Sequence, residues 1–181
     1  MNKINRTVEH YPASRLPAGH EHRRGRHAHS KAPGRMGLMG RPAIYLDTNI
    51  VIRLIEYRDH EVQSLLTDLH SRQGVVVTSE LTLAEVLVVP IKDAQHEMIA
   101  HYDSFLTTGD GVIIIPVSRM ILRRSAEIRA TFGSRTPDSI HVATALEAGC
   151  HCFLTADRRI RTPERLRILD VGESPNWNDF Q

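Results

Sequence analysis

From residue 43 onward, short runs of β-branched and apolar residues alternate with longer stretches whose apolar positions recur at helical spacing. This is the pattern of repeated strand–helix units. Ala43–Leu46 predicts a first strand, and residues 49–57 a helix directly after it. Residues 61–70 predict a second helix and 74–78 a second strand. Ser79 stands where it caps a helix carrying Leu83, Val86 and Leu87, which Pro90 ends or kinks. An amphipathic helix over 93–106 follows, and Gly109-Asp110-Gly111 turns the chain into a strand over 112–116. Ser118 caps a helix over Arg119–Phe132 that stops at Gly133. Thr136 as N-cap with Pro137 at the first helical position opens another helix, which runs to Gly149. Residues 152–155 and 167–171 read as the last strands. The fold class is therefore α/β, a three-layer α/β/α sandwich around a central, mostly parallel sheet.

Residues 1–40 interrupt this picture. They mix Pro, Gly, Ser and Arg with His10, His20, His22, His27 and His29, and show neither period. They read as a disordered, basic, His-rich segment ahead of a domain over 41–173, with a polar tail over 174–181. Three explanations compete for the segment: a basic arm that touches nucleic acid, a weak histidine metal tract, or upstream sequence translated from a start codon set too early. The last is favoured, with Met36 or Met39 as the initiator. Eight of the 23 Lys and Arg fall in this segment but only two of the 21 Asp and Glu, so the globular part is mildly acidic.

Composition narrows the class. Hydrophobic residues at 41% and charged residues at 24% provide for a real core and exclude global disorder. The longest apolar runs fall far below the ~20 residues that span a bilayer, so no membrane segment is expected. Cys150 and Cys152 are the only cysteines, one residue apart. No disulfide framework follows from them, packing at a strand edge is expected, and the cytoplasm is the expected compartment.

Four acids occupy related topological positions. In open parallel sheets, sites form where strand carboxyl ends and helix amino ends converge. Asp47 and Asp157 each end a strand, and Asp138 lies in the first turn of a helix. Glu85 stands in the apolar segment Leu83-Ala84-Glu85-Val86-Leu87, where a carboxylate must face water or a partner. Each has a plainer reading: Asp47 as a helix cap, Asp138 as a match to the helix dipole, Asp157 as a turn residue, Glu85 as a solvated helix face. Gathered together, four carboxylates repel one another by several kcal/mol unless a cation neutralises them. Mg²⁺ or Mn²⁺ is the expected ion, because hard ions take carboxylate oxygen and water.

The same residues carry a resemblance. Ile44-Tyr45-Leu46-Asp47-Thr48-Asn49-Ile50, the segment 81–87 around Glu85, Arg135-Thr136-Pro137-Asp138-Ser139-Ile140-His141 with Val142 to Ala145, and Phe153-Leu154-Thr155-Ala156-Asp157-Arg158-Arg159 resemble the successive signatures of the PIN-domain nucleases. Four motifs in the family's order are specific, and the resemblance spans about residues 42–171. It is closest to the VapC-type toxins of bacterial toxin–antitoxin pairs. The resemblance implies a PIN-like fold and a Mg²⁺- or Mn²⁺-dependent endoribonuclease that leaves a 5′-phosphate and a 3′-hydroxyl. Asp47, Glu85, Asp138 and Asp157 match the acidic quartet. Thr48, Asn49 and Thr155 match motif positions that would orient carboxylates or water. His141 also matches, but a histidine on an apolar helical face is more often packed than catalytic. The segment before residue 41 departs from the family. The implied partners are an RNA substrate, a cognate antitoxin and a second copy of the chain, with residues 83–91 the expected self-association surface.

An acidic pocket that acts on a polyanion needs cations at its rim. Arg135 precedes Asp138, and Arg158, Arg159 and Arg161 follow Asp157, so these four are the candidate RNA contacts. A solvated arginine face or antitoxin contacts are the competing readings. Arg123, Arg124 and Arg129 read as an exposed helix face. Two other functions stay open: a non-catalytic PIN-like RNA-binding module, and an aspartyl-phosphate phosphatase or receiver built on Asp47. The latter lacks its Asp-x-Asp and a lysine after a later strand.

Overall fold

The computed structural model describes residues 41–109 and 112–177. The expectations for residues 1–40 and the turn at Asp110-Gly111 lie outside the described residues, as does the end of the tail over 178–181.

Five strands, β1 (Ala43–Leu46), β2 (Val75–Ser79), β3 (Val112–Ile115), β4 (Cys152–Leu154) and β5 (Arg167–Leu169), form one sheet in the order β3-β2-β1-β4-β5. Every strand pairing is parallel. The helices are α1 (Thr48–Ile55), α2 (His60–Ser71), α3 (Glu80–Val86), α4 (Val88–Lys92), α5 (His96–Phe105), α6 (Arg119–Phe132) and α7 (Thr136–Ala148).

Alternation along the strands sends side chains into two cores. Ala43, Tyr45, Val75, Val77 and Phe153 pack with Ile121 and Ile128 of α6 and Val142, Ala145 and Leu146 of α7. Ile44, Leu46, Val76, Cys152 and Leu154 pack on the opposite face with α1, α2, α3 and α5. The result is the three-layer sandwich. Helix α7 is buried over nearly its whole length, from Ser139 to Leu146, which is why its sequence carries no strong polar stripe. Cys150 and Cys152 are both buried, one in each core. Trp177 packs against the second core and lies 5.1 Å beneath the Arg72 guanidinium.

Local chemistry explains most boundaries and three departures. Gly133 and Gly149 close α6 and α7 at φ 68° and 78°, in the left-handed region that side chains other than glycine seldom adopt. The break after α3 comes at Leu87, ahead of Pro90, which sits inside the one-turn helix α4 where its missing N–H costs little. The helix expected from Asp93 begins at His96, because Ala94 turns the chain at φ 52°. Helix α7 has Arg135 at its N-cap, with no side-chain cap, and Thr136 already helical, one residue earlier than the Thr136-Pro137 reading. On α4, Val88, Val89 and Ile91 are exposed at 62%, 58% and 61%, while Pro90 is buried.

Among the described residues no helix is long and apolar enough to cross a membrane.

Candidate metal centre

Strand order positions the site. The chain proceeds from β1 to β2 and β3 on one side, then returns to place β4 and β5 on the other. The crevice at such a reversal opens at the strands' carboxyl ends. Asp47 follows β1 in the middle of that edge, and Asp157 follows the neighbouring β4. Helix α7, which precedes β4, contributes Asp138 in its first turn. Helix α3, which follows β2, contributes Glu85.

Asp47 is 7% exposed and fully engaged. Its Oδ1 accepts from the Thr48 N–H at 2.8 Å, so it caps α1 as well as facing the crevice. Its Oδ2 accepts from Asn49 Nδ2 at 2.5 Å and Thr155 Oγ1 at 2.7 Å. Asn49 Nδ2 also reaches Thr155 Oγ1 at 3.1 Å, and Asn49 Oδ1 accepts from the Ala156 N–H at 2.9 Å. Thr155 Oγ1 in turn accepts from the Asp157 N–H at 3.0 Å. Asn49 and Thr155 thus tie the loops after β1 and β4 to one carboxylate.

Asp47 and Asp157 both lie within electrostatic reach of Asp138. Burial, and then the charges of Asp47 and Asp157, hold the Asp138 carboxyl above its ordinary range, while Arg135 and Arg159 oppose the shift. Asp157 goes the other way, down to about 2, chiefly because the Arg159 side chain and then its backbone N–H bond to it. Arg159 grips both carboxylate oxygens, at 2.9 Å from Nε to Oδ1 and 2.7 Å from a terminal nitrogen to Oδ2.

Glu85 takes different partners. Thr48 Oγ1 donates to its Oε2, and His141 Nε2 lies 2.8 Å from the same oxygen. Half-burial alone pushes its carboxyl up, but the bonds from His141 and Thr48 outweigh that and hold it below its ordinary value. His141 is buried, and its Nδ1 lies 2.7 Å from the Tyr45 hydroxyl. Burial raises the Tyr45 hydroxyl well above its usual value. Thr48 bridges the two parts of the site, since its N–H serves Asp47 and its hydroxyl serves Glu85.

Three acids therefore share one pocket, while Glu85 approaches it through Thr48. In the conformations observed, no three Asp, Glu, His or Cys side chains among the described residues stand together in ligating geometry. Asp157 is turned onto Arg159, and Glu85 onto Thr48 and His141. The donor set suits a hard divalent cation: it is all oxygen, and burial together with the charges of Asp47 and Asp157 already lifts Asp138.

Around this pocket Arg135, Arg158, Arg159 and Arg161 are all exposed. The charges of Arg135 and Arg159 reach Asp138 and Asp157. Arg161 is folded back on the Arg158 and Ile160 carbonyls at 2.8 and 3.0 Å. Of the other arginines, Arg123 and Arg129 are exposed, and Arg124 is half-buried in an ion pair with Glu127 at 2.9 Å. Sequence reasoning missed the link from Tyr45 through His141 to Glu85. Its only trace was polar atoms at two core-facing positions, one on a strand and one on a helix.

A fold and pocket of this kind define a parallel α/β domain with an acidic crevice at its topological switch point. The chain belongs to the PIN domain family, which its sequence matches over residues 44–166. Comparison with curated proteins finds no match. Among solved structures the chain resembles the VapBC2 complex of Rickettsia felis bound to a DNA fragment from its promoter. That match has a TM-score of 0.58 and 19% identity, covering 71% of this chain and 98% of the other. It also resembles DNA-bound VapBC of Salmonella typhimurium, at TM-score 0.59, 20% identity and coverages of 71% and 98%. A toxin–antitoxin complex of Klebsiella pneumoniae matches at TM-score 0.51 and 25% identity, with coverages of 68% and 94%.

Proposed function

We propose that this chain is a divalent-metal-dependent endoribonuclease and the toxin of a type II toxin–antitoxin pair. The observation that carries the reading is the Asp138 carboxyl, raised by burial and then by the charges of Asp47 and Asp157 at the sheet edge. Such a cluster stores repulsion that a cation relieves. Membership of the PIN family supports nuclease chemistry, and the toxin–antitoxin complexes among the solved neighbours support an antitoxin partner.

Asp47, Asp138 and Asp157, with Glu85 beside them, would hold Mg²⁺ or Mn²⁺. When bound, such an ion supplies Lewis acidity that activates water and offsets charge on the scissile phosphate. The protein's groups then divide the work. Asp47, fixed by Thr48, Asn49 and Thr155, anchors the site. Asp138 is the proton acceptor, because its carboxyl is raised whereas those of Glu85 and Asp157 are lowered. Arg135, Arg158, Arg159 and Arg161 hold RNA phosphates along the rim, and Asp157 would be available to the ion where a phosphate engages Arg159 instead. The exposed Val88, Val89 and Ile91 provide an apolar surface for self-association.

The test is cleavage of RNA by the purified chain and by Asp47→Asn, with EDTA and Mn²⁺ add-back. The expected result is loss of activity with EDTA, recovery with Mn²⁺, and a fall of about 10³-fold in the variant. Cleavage that survives both EDTA and the substitution overturns the reading.

A further inference from the structure

The hydrogen-bond chain from Tyr45 to Glu85 has a direction. Tyr45 and His141 are both fully or almost fully buried, at 0% and 2% exposure. A tyrosine hydroxyl carries its proton at neutral pH and, once buried, needs an acceptor. Its hydroxyl lies 2.7 Å from His141 Nδ1, and the Thr78 and Ser79 side chains are also within its hydrogen-bonding range. The deciding contact is on the other side of the ring, where an ionised carboxylate can only accept; Nδ1 therefore takes the Tyr45 hydrogen and the ring hydrogen lies on Nε2. That nitrogen faces Glu85 Oε2 at 2.8 Å, with Thr48 Oγ1 at 3.2 Å. Oε2 thus receives two donors, Nε2–H and the Thr48 hydroxyl. Among the described residues Oε1 of Glu85 accepts none, and it is the oxygen left to a ligand.

We infer that His141 is a positioning residue for Glu85: Tyr45 supports its Nε2–H tautomer, and that Nε2–H pins one carboxylate oxygen so that the other is presented to the acidic pocket. Glu85 needs such a device more than the other acids do. Asp47, Asp138 and Asp157 sit on backbone turns and helix ends close to the crevice, whereas Glu85 reaches in from the side of α3 on three rotatable bonds. Partners of this kind orient a ligand carboxylate and set how well it binds. The consequence for metal binding rests on the nuclease reading; the tautomer does not.

The test uses the full chain without RNA. ¹⁵N NMR of the histidine-labelled, metal-free protein, with the His141 signal identified from His141→Asn, is expected to show the Nε2–H form. Tyr45→Phe should keep that form, since Nε2 still faces the Glu85 carboxylate, while the Nδ1 signal shifts with loss of the bond from the tyrosine hydroxyl. Calorimetric Mn²⁺ titration is expected to show an affinity about 10- to 100-fold lower in His141→Asn, whose amide stops near the Nδ1 position. His141→Gln places its amide near Nε2 and should stay within about 3-fold of the wild type. Tyr45→Phe, the mildest change to the core, should fall between them. An Nδ1–H tautomer in the wild type overturns the proposal, as does equal loss of Mn²⁺ affinity in the Asn and Gln variants. Wild type that shows the expected tautomer and Mn²⁺ affinities but cuts no RNA upholds the positioning role and counts against the nuclease reading alone.

Discussion

The two sides of the pocket handle negative charge in opposite ways. On the Asp138 side, burial and then the charges of Asp47 and Asp157 raise the Asp138 carboxyl. On the Glu85 side, a buried histidine and a threonine hydrogen-bond to the acid from within, and its carboxyl is lowered. The contrast separates a half that a cation would stabilise from a half that is already satisfied by the fold.

Substitutions at the two sides should therefore differ in sign as well as size. Asp138→Asn is expected to cost about 10³-fold in RNA cleavage and yet raise the melting temperature of the metal-free chain at neutral pH by about 2 °C. A raised folded-state carboxyl contributes stability that is complete below its ordinary value of 3.8 and is lost as pH rises through the folded value. The stabilisation by the variant should thus grow as pH climbs from about 4 and then level off. Glu85→Gln is expected to cost about 10²-fold in cleavage and to lower the melting temperature by about 2 °C at neutral pH. Its lowered carboxyl contributes stability above the ordinary 4.5 that disappears as pH falls through the folded value. Melting curves across pH that move the same way for both variants would break the contrast.

Smaller effects sharpen it. Thr155→Val removes a donor to Asp47 Oδ2 and the acceptor of the Asp157 N–H. It should lower cleavage about 10-fold and stability by about 1–3 kcal/mol, since Thr155 is fully buried. Arg159→Gln should have the least effect on cleavage at saturating Mn²⁺, within about 3-fold. It releases Asp157 from its clamp, so calorimetry should show Mn²⁺ binding tightened in the variant.

Much of the fold was legible because its signals are local. The strand over Ala43–Leu46 and the helix over Arg119–Phe132 have their expected bounds, the first from a compact apolar run before Asp47, the second from the Ser118 cap and the Gly133 stop. The turn at Ala94 was not legible, since alanine gives no hint of a left-handed conformation that only the surrounding packing enforces. Position was similarly easier to read than partnership. That Asp47 directly follows β1 and Asp157 lies in the loop three residues past β4 was close to what periodicity predicts, though the strand expected over 152–155 stops at Leu154. That Glu85 meets His141, and His141 meets Tyr45, depends on strand order and on which face α7 buries, and neither is written in any one stretch of sequence.

Strand order also sets when the pocket can exist. β1 lies mid-sheet beside β4, so the Asp47 N–H waits for the Leu154 carbonyl, 3.1 Å away in the finished fold, and its carboxylate waits for Thr155. During synthesis Asp47, Glu85 and Asp138 leave the ribosome as scattered acids, and the crevice closes only when residues 152–157 follow. A product truncated before Cys152 carries three of the four acids and no pocket, so the domain completes its chain before it completes its site.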